Sequence, residues 1–159
     1  MTGPRRIDLA GPGVDAAALA GLVAAARLVC FPTDTVYGVG GVVTPAVHDA
    51  VIAAKGSAAG KPLQVVYPVL ELLETSLELG PRLLGAVRRL LPGPFTLLLP
   101  YPPGLRFPPA GAVTHCAPGS AVEGASAASS LGVRVPAWPA PARALAALPF
   151  ALLASSANP

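Results

Sequence analysis

Four short stretches gather the side chains of this 159-residue chain that could do chemistry. Thr33, Asp34 and Thr35 put two hydroxyls and a carboxylate among hydrocarbon neighbours, and such groups need partners where they are partly buried. A polar turn of this kind suits a small-molecule site, although its hydroxyls can also be satisfied by the turn's own backbone. Lys55 and Lys61 bracket a Gly/Ala-rich loop, KGSAAGK. Its backbone is free to curl both ammonium groups onto one anion, with phosphate the natural guest, or to leave them as solvated surface lysines. Arg134 stands between Val133 and Val135, where a guanidinium needs an anion or carbonyls to offset its desolvation. Ser155, Ser156 and Asn158 follow the last apolar run, at the end of a strand where open α/β sheets place ligands. No metal set is legible: His48 and His115 are isolated, and Cys30 and Cys116 lack ligand spacing and read as reduced thiols of a cytosolic protein.

The elements that must position these residues follow from pattern. Asp15 caps a helix over Ala16–Arg27 with Leu19, Leu22 and Val23 on one face. A buried strand, Leu28–Phe31, ends at Pro32, and a second strand is expected where Val36, Tyr37 and Val39 alternate with Gly38 and Gly40. Thr44-Pro45 starts a helix that runs to Lys55 and stops at Gly56. Strands are predicted over Leu63–Tyr67, Phe95–Leu99, around Arg134 and over Phe150–Ala154, and helices over Leu70–Leu79, Pro81–Leu91 and Pro141–Leu148. Thr96 is the polar residue of its strand, after the rigid turn Pro92-Gly93-Pro94.

Length suggests one domain with a real core, preceded by a loose leader over 1–13 and interrupted by a low-complexity surface insertion over about 110–130. Hydrophobic content is 53% but mostly Ala, Val and Leu, and the apolar run Ala16–Ala26 is about half of the ~20 residues a bilayer needs, so no membrane span is expected. No secretory signal follows Arg5 and Arg6. A net charge of +3 permits phosphate contact without arguing for a nucleic-acid protein.

Taken in order, PTDTVYGVG, KGSAAGKPL with PGPFT after it, GVRVP and SSANP resemble the YrdC/Sua5 family of threonylcarbamoyl-AMP synthases, over residues 14–159. The resemblance implies an α/β fold, a YrdC-like twisted mixed sheet flanked by helices around a concave basic cavity. It implies a nucleotidyltransferase that joins L-threonine, bicarbonate and ATP, the last carrying Mg2+, with pyrophosphate release. The product would serve threonylcarbamoyladenosine modification of tRNA in the cytoplasm, through downstream transfer proteins and with tRNA or double-stranded RNA as a possible partner. By motif position, Lys55, Lys61 and Arg134 are the catalytic candidates. Ser57, Lys61, Ser130 and Asn158 fall to ATP, and Thr33, Thr35, Tyr37, Arg134 and Ser156 to threonine. Tyr37 and Thr96 would shape the walls, and Asp34 would hold a lysine or a metal-bound water.

Two departures from the family pattern stand out. Ser57 occupies the arginine position of the family's Lys-x-Arg, and a lost charge-assisted contact of about 1.5–3 kcal/mol would weaken ATP binding or turnover by one to two orders of magnitude. Family members also continue past Ser-Ala-Asn-Pro, so the domain is expected to be C-terminally incomplete. These departures motivate a second reading, a catalytically impaired RNA- or nucleotide-binding module, and the use of the same fold on carbamoyl phosphate gives a third, a carbamoyl-adenylate domain of a larger carbamoyltransferase.

Overall fold

The computed structural model describes residues 3–11, 14–56, 63–100 and 130–158. Ser57, Lys61, His115, Cys116 and most of the predicted insertion lie outside these residues.

Local signals start the helices where the chain chemistry asks. The Asp15 carboxylate accepts from Ala18 N at 2.8 Å and opens α1, Ala16–Ala25. Thr44 Oγ1 accepts from Val47 N at 3.2 Å and Pro45 fills the first turn of α2, Pro45–Ala54. Gly56, at φ 67°, turns the chain out of that helix. Two further helices follow, α3 (Leu70–Ser76) and α4 (Pro81–Leu90), joined by the fork of Arg88 on Glu74 at 2.7 and 2.8 Å.

The strands are β1 (Val29–Phe31), β2 (Gly38–Val42), β3 (Gln64–Val66), β4 (Leu97–Pro100), β5 (Ser130–Arg134) and β6 (Leu152–Ser156). They form one six-stranded mixed sheet in the order β1-β2-β6-β3-β5-β4, in which β3 and β5 run parallel and the other neighbours antiparallel. Strand alternation sorts the side chains onto two faces. Val65, Leu99, Leu131, Val133 and Leu153 pack under α2, α3 and α4 through Val47, Val51, Leu73 and Val87. Phe31, Val66, Leu152 and Ala154 pack under α1 and a 3-10 helix, Ala140–Ala147, through Leu19, Val23, Ala142 and Leu145, with Leu9 and Val14 against the same cluster. Among the described residues no helix is long and apolar enough to cross a membrane.

Several predicted bounds move. α3 ends at Ser76 instead of Leu79, because Thr75 Oγ1 and Ser76 Oγ bond back to Glu71 O and Leu72 O, at 2.9 and 2.6 Å, beside the last turn. Residues 140–147 wind as 3-10 helix, with Ala142 N donating to Pro139 O and Leu148 N to Leu145 O. Ser130, at the edge of the predicted insertion, is the buried first residue of β5. β6 runs two residues further than its apolar run, so Ser155 and Ser156 lie inside the strand. Its partner decides this: β2 starts at Gly38, and Gly38 pairs with Ser156.

Candidate functional site

The face that carries Val66, Leu152 and Ala154 also carries, by the same alternation, Ser156 on β6, Gln64 on β3, Arg134 on β5 and Thr96 just before β4. α1 and the 3-10 helix cover its apolar part. The polar part has small neighbours, Gly38, Gly40 and Gly132, and the turn Pro32–Tyr37 reaches over it from β1 to β2.

That turn is held at both ends. At its foot the Phe31 ring lies where a Cβ on Gly38 would sit, 2.9 Å from Cζ, so residue 38 must be glycine for the ring to seat. Phe31 meets Trp138 at 6.4 Å between ring centroids, and Trp138 Nε1 donates to Pro68 O at 2.7 Å. At its return, Ala157 N donates to Tyr37 O at 2.7 Å and binds the turn to the residues after β6.

Inside the turn Thr33 Oγ1 donates to Val36 O at 2.6 Å and lies 3.3 Å from Thr35 Oγ1. Asp34 takes Arg134 and not a lysine: one carboxylate oxygen accepts from Arg134 Nη2, the other from Ala137 N at 3.1 Å. Arg134 Nη2 also donates to Thr35 Oγ1 at 2.8 Å. One nitrogen thus makes both contacts of a guanidinium whose side chain is only 8% exposed. Nε is buried with no partner among the described residues. A buried N–H left open costs free energy unless something accepts from it, so it marks a place for an acceptor.

The second cation stands at the other end. Lys55, at the C-cap of α2, donates from Nζ to Ser156 O at 3.1 Å and to Asn158 O. An ammonium has three protons, and two are used here. Arg134 aligns through Val66 with Leu152, four residues before Ser156 on β6, so the backbones of Arg134 and Ser156 stand ~13 Å apart along the strands and ~10 Å across them, ~16 Å in all, at ~3.3 Å per residue and ~4.8 Å per strand. The arrangement fits two anionic groups held apart, one on the sheet face at Arg134 and one at the end of β6.

The structure therefore joins Thr33, Thr35 and Arg134 in one cluster, and Lys55 with the backbone of Ser156 and Asn158 in another. Tyr37 stands at the lip of the turn, 60% exposed. Ser130 belongs to the same sheet face by register, opposite Pro100. Sequence reasoning passed over Gln64, which accepts from Thr96 Oγ1 at 2.6 Å. Its signal was there to use: it is the polar residue of the buried run Leu63–Tyr67.

Comparison with known proteins gives a consistent picture. The family model Sua5_yciO_yrdC, described as telomere recombination, matches residues 22–159. The structure of P. abyssi Sua5 complexed with L-threonine superposes with a TM-score of 0.63 at 27% identity, over 90% of this chain and 38% of that one. A double-alanine variant of P. abyssi Sua5 gives 0.61 at 28%, over 90% and 40%. This chain thus spans about two-fifths of the Sua5 chains it matches. The solution structure of the MTH1692 protein from Methanobacterium thermoautotrophicum gives 0.61 at 24%, over 99% and 67%, which shows the fold. No curated protein matches the chain significantly.

Proposed function

Because the chain belongs to the Sua5/YciO/YrdC family, we propose that it is an L-threonylcarbamoyladenylate synthase acting in threonylcarbamoyladenosine modification of tRNA. The observation that carries this is Arg134, a buried guanidinium with an open Nε–H beside two threonine hydroxyls. It is a seat for the carboxylate of an amino acid, and the P. abyssi relative was solved with L-threonine.

In this reading threonine docks its carboxylate on Arg134, with Thr33 and Thr35 alongside and Ser156 at the end of β6. Its amine takes up carbon dioxide from bicarbonate, giving a carbamate and water. A carbamate oxygen then attacks the α-phosphorus of ATP, and pyrophosphate leaves. No protein nucleophile is needed, so the protein's part is to hold two anions in reach and screen their repulsion. Lys55 and Lys61 serve the phosphates, with Ser57, Ser130 and Asn158 about the nucleotide. Among the described residues no three His, Cys, Asp or Glu side chains stand together as a metal cage. Both Asp34 oxygens are engaged, so magnesium would come with the triphosphate, where it neutralises charge.

Pyrophosphate release tests the proposal. With ATP, bicarbonate and L-threonine, the protein releases pyrophosphate in step with threonylcarbamoyl-AMP, and omitting threonine stops it. Release no greater than that of the Lys61→Ala variant would refute synthesis. Release driven instead by carbamoyl phosphate would assign the domain to carbamoyl transfer.

A further inference from the structure

Nothing in the reaction above uses Gln64, yet its placement is specific. On β3 it pairs with Ala154 of β6, and one step back from the Val65–Val133 pair it lies beside Gly132 of β5. A methyl on one side and no side chain on the other leave its own side chain free to lie across β5. It does so, and its Oε1 accepts from Thr96 Oγ1 at 2.6 Å. That bond engages the carboxamide oxygen, and the two N–H groups of Nε2 have no partner among the described residues. Gln64 is half-buried and Thr96 exposed, so the amide lies on the floor of an open surface and not in the core.

Two residues along β3, Val66 pairs with Arg134. Gln64 and Arg134 are therefore diagonal neighbours on one sheet face, about 7–8 Å apart at the backbone. A carboxylate held at the guanidinium places whatever is built on the adjacent α-nitrogen ~4 Å further along, within reach of the carboxamide. We propose that Gln64 is a specificity-determining residue of this site, whose Nε2 donates to the oxygen of a carbamoyl or carbamate group on the amino acid's nitrogen. The inference rests on the reading that Arg134 seats an amino-acid carboxylate, and it adds the means of telling the modified amine from the free one. A free α-ammonium is itself a donor, so it gains nothing from N–H groups and is disfavoured beside them. An acyl oxygen is an acceptor and gains directly.

Calorimetric titration with N-carbamoyl-L-threonine and with L-threonine, without ATP, tests this independently of turnover. The wild-type protein binds both. Gln64→Leu, close in volume and at home in a strand, weakens N-carbamoyl-L-threonine about tenfold and L-threonine less than twofold. Gln64→Glu, which replaces donors by a carboxylate, reverses the order by tightening L-threonine and weakening the carbamoyl compound. Thr96→Val releases the carboxamide from its aim and lowers the ratio of the two affinities about threefold, roughly what one lost neutral hydrogen bond allows. An unchanged ratio in Gln64→Leu and Gln64→Glu, with both folded by circular dichroism, overturns the role of Gln64 alone. Ratios that shift as expected in a protein that never forms the adenylate overturn the synthase reading alone. Failure of the wild type to bind either compound overturns both.

Discussion

Arg134 sits where a lone charge does not belong, in a five-residue strand that is buried throughout. The fold tolerates it because Asp34 arrives from a turn one hundred positions earlier in the chain and accepts from Nη2, while Thr35 accepts from the same nitrogen. Removing one member of a buried pair strands the other, so Asp34→Ala should cost about 3–5 kcal/mol in urea unfolding. The double change Asp34→Ala with Arg134→Met should recover at least half of that loss. If the single and double variants are equally unstable, the pair is not what stabilises the turn. A second residue-scale effect appears at alkaline pH. Burial pushes the Tyr67 phenol from 10.0 up to about 12, so the neutral form is favoured in the folded protein. Its contribution is whole below pH 10 and is lost as pH rises toward 12. The loss is about 2–3 kcal/mol over that window, at ~1.4 kcal/mol per unit. Tyr67→Phe should remove this part of the slope from the unfolding free energy while leaving stability at pH 7 to 9 flat.

At the scale of elements, β2 and β6 carry the frame of the site, and their closeness depends on a missing side chain. A Cβ on Gly40 would lie 1.9 Å from the backbone oxygen of Leu153, an atom that cannot step aside without opening the ladder. Gly40→Ala should therefore lose at least about 3 kcal/mol or fail to fold. Gly21→Ala, on the exposed side of α1 with nothing within 4 Å, should gain about 0.5–1 kcal/mol. Thermal unfolding of the pair separates a requirement for contact distance from a generic preference for glycine. The same contrast explains what was legible in the chain. The starts of α1 and α2 and the stop at Gly56 were readable because a cap, a proline and a left-handed turn act within four residues. The ends of β2 and β6 were not, since each is fixed by the other's register across more than one hundred positions. The site divides the same way. Thr33, Thr35, Lys55 and Arg134 announced themselves as polar groups in apolar or glycine-rich company. That Asp34 faces Arg134, and that Lys55 serves the carbonyls at the end of β6, depends on how the sheet closes.

Among the described residues the fold is one sheet with a core on each face, and the second core covers only part of its face. The residues around the uncovered part come from four separate stretches of chain, around positions 34, 55, 134 and 156, tied to one another outside the sheet by one to three hydrogen bonds each. A ligand that spans the site joins stretches that the fold itself joins weakly, so binding should register as stability of the entire domain. At about one hundred times its dissociation constant each ligand should add about 2.7 kcal/mol, or roughly 5–11 °C in midpoint for a chain of this size. Because Arg134 and the end of β6 that Lys55 bonds stand ~16 Å apart at the backbone, their effects should separate. Arg134→Met should abolish the shift produced by L-threonine and keep most of that produced by ATP, and Lys55→Ala should do the reverse. Thermal melts of the wild type and both variants with each ligand, alone and together, read this directly. If both variants lose both shifts in proportion, the anion site is undivided and the assignment of its two ends is wrong.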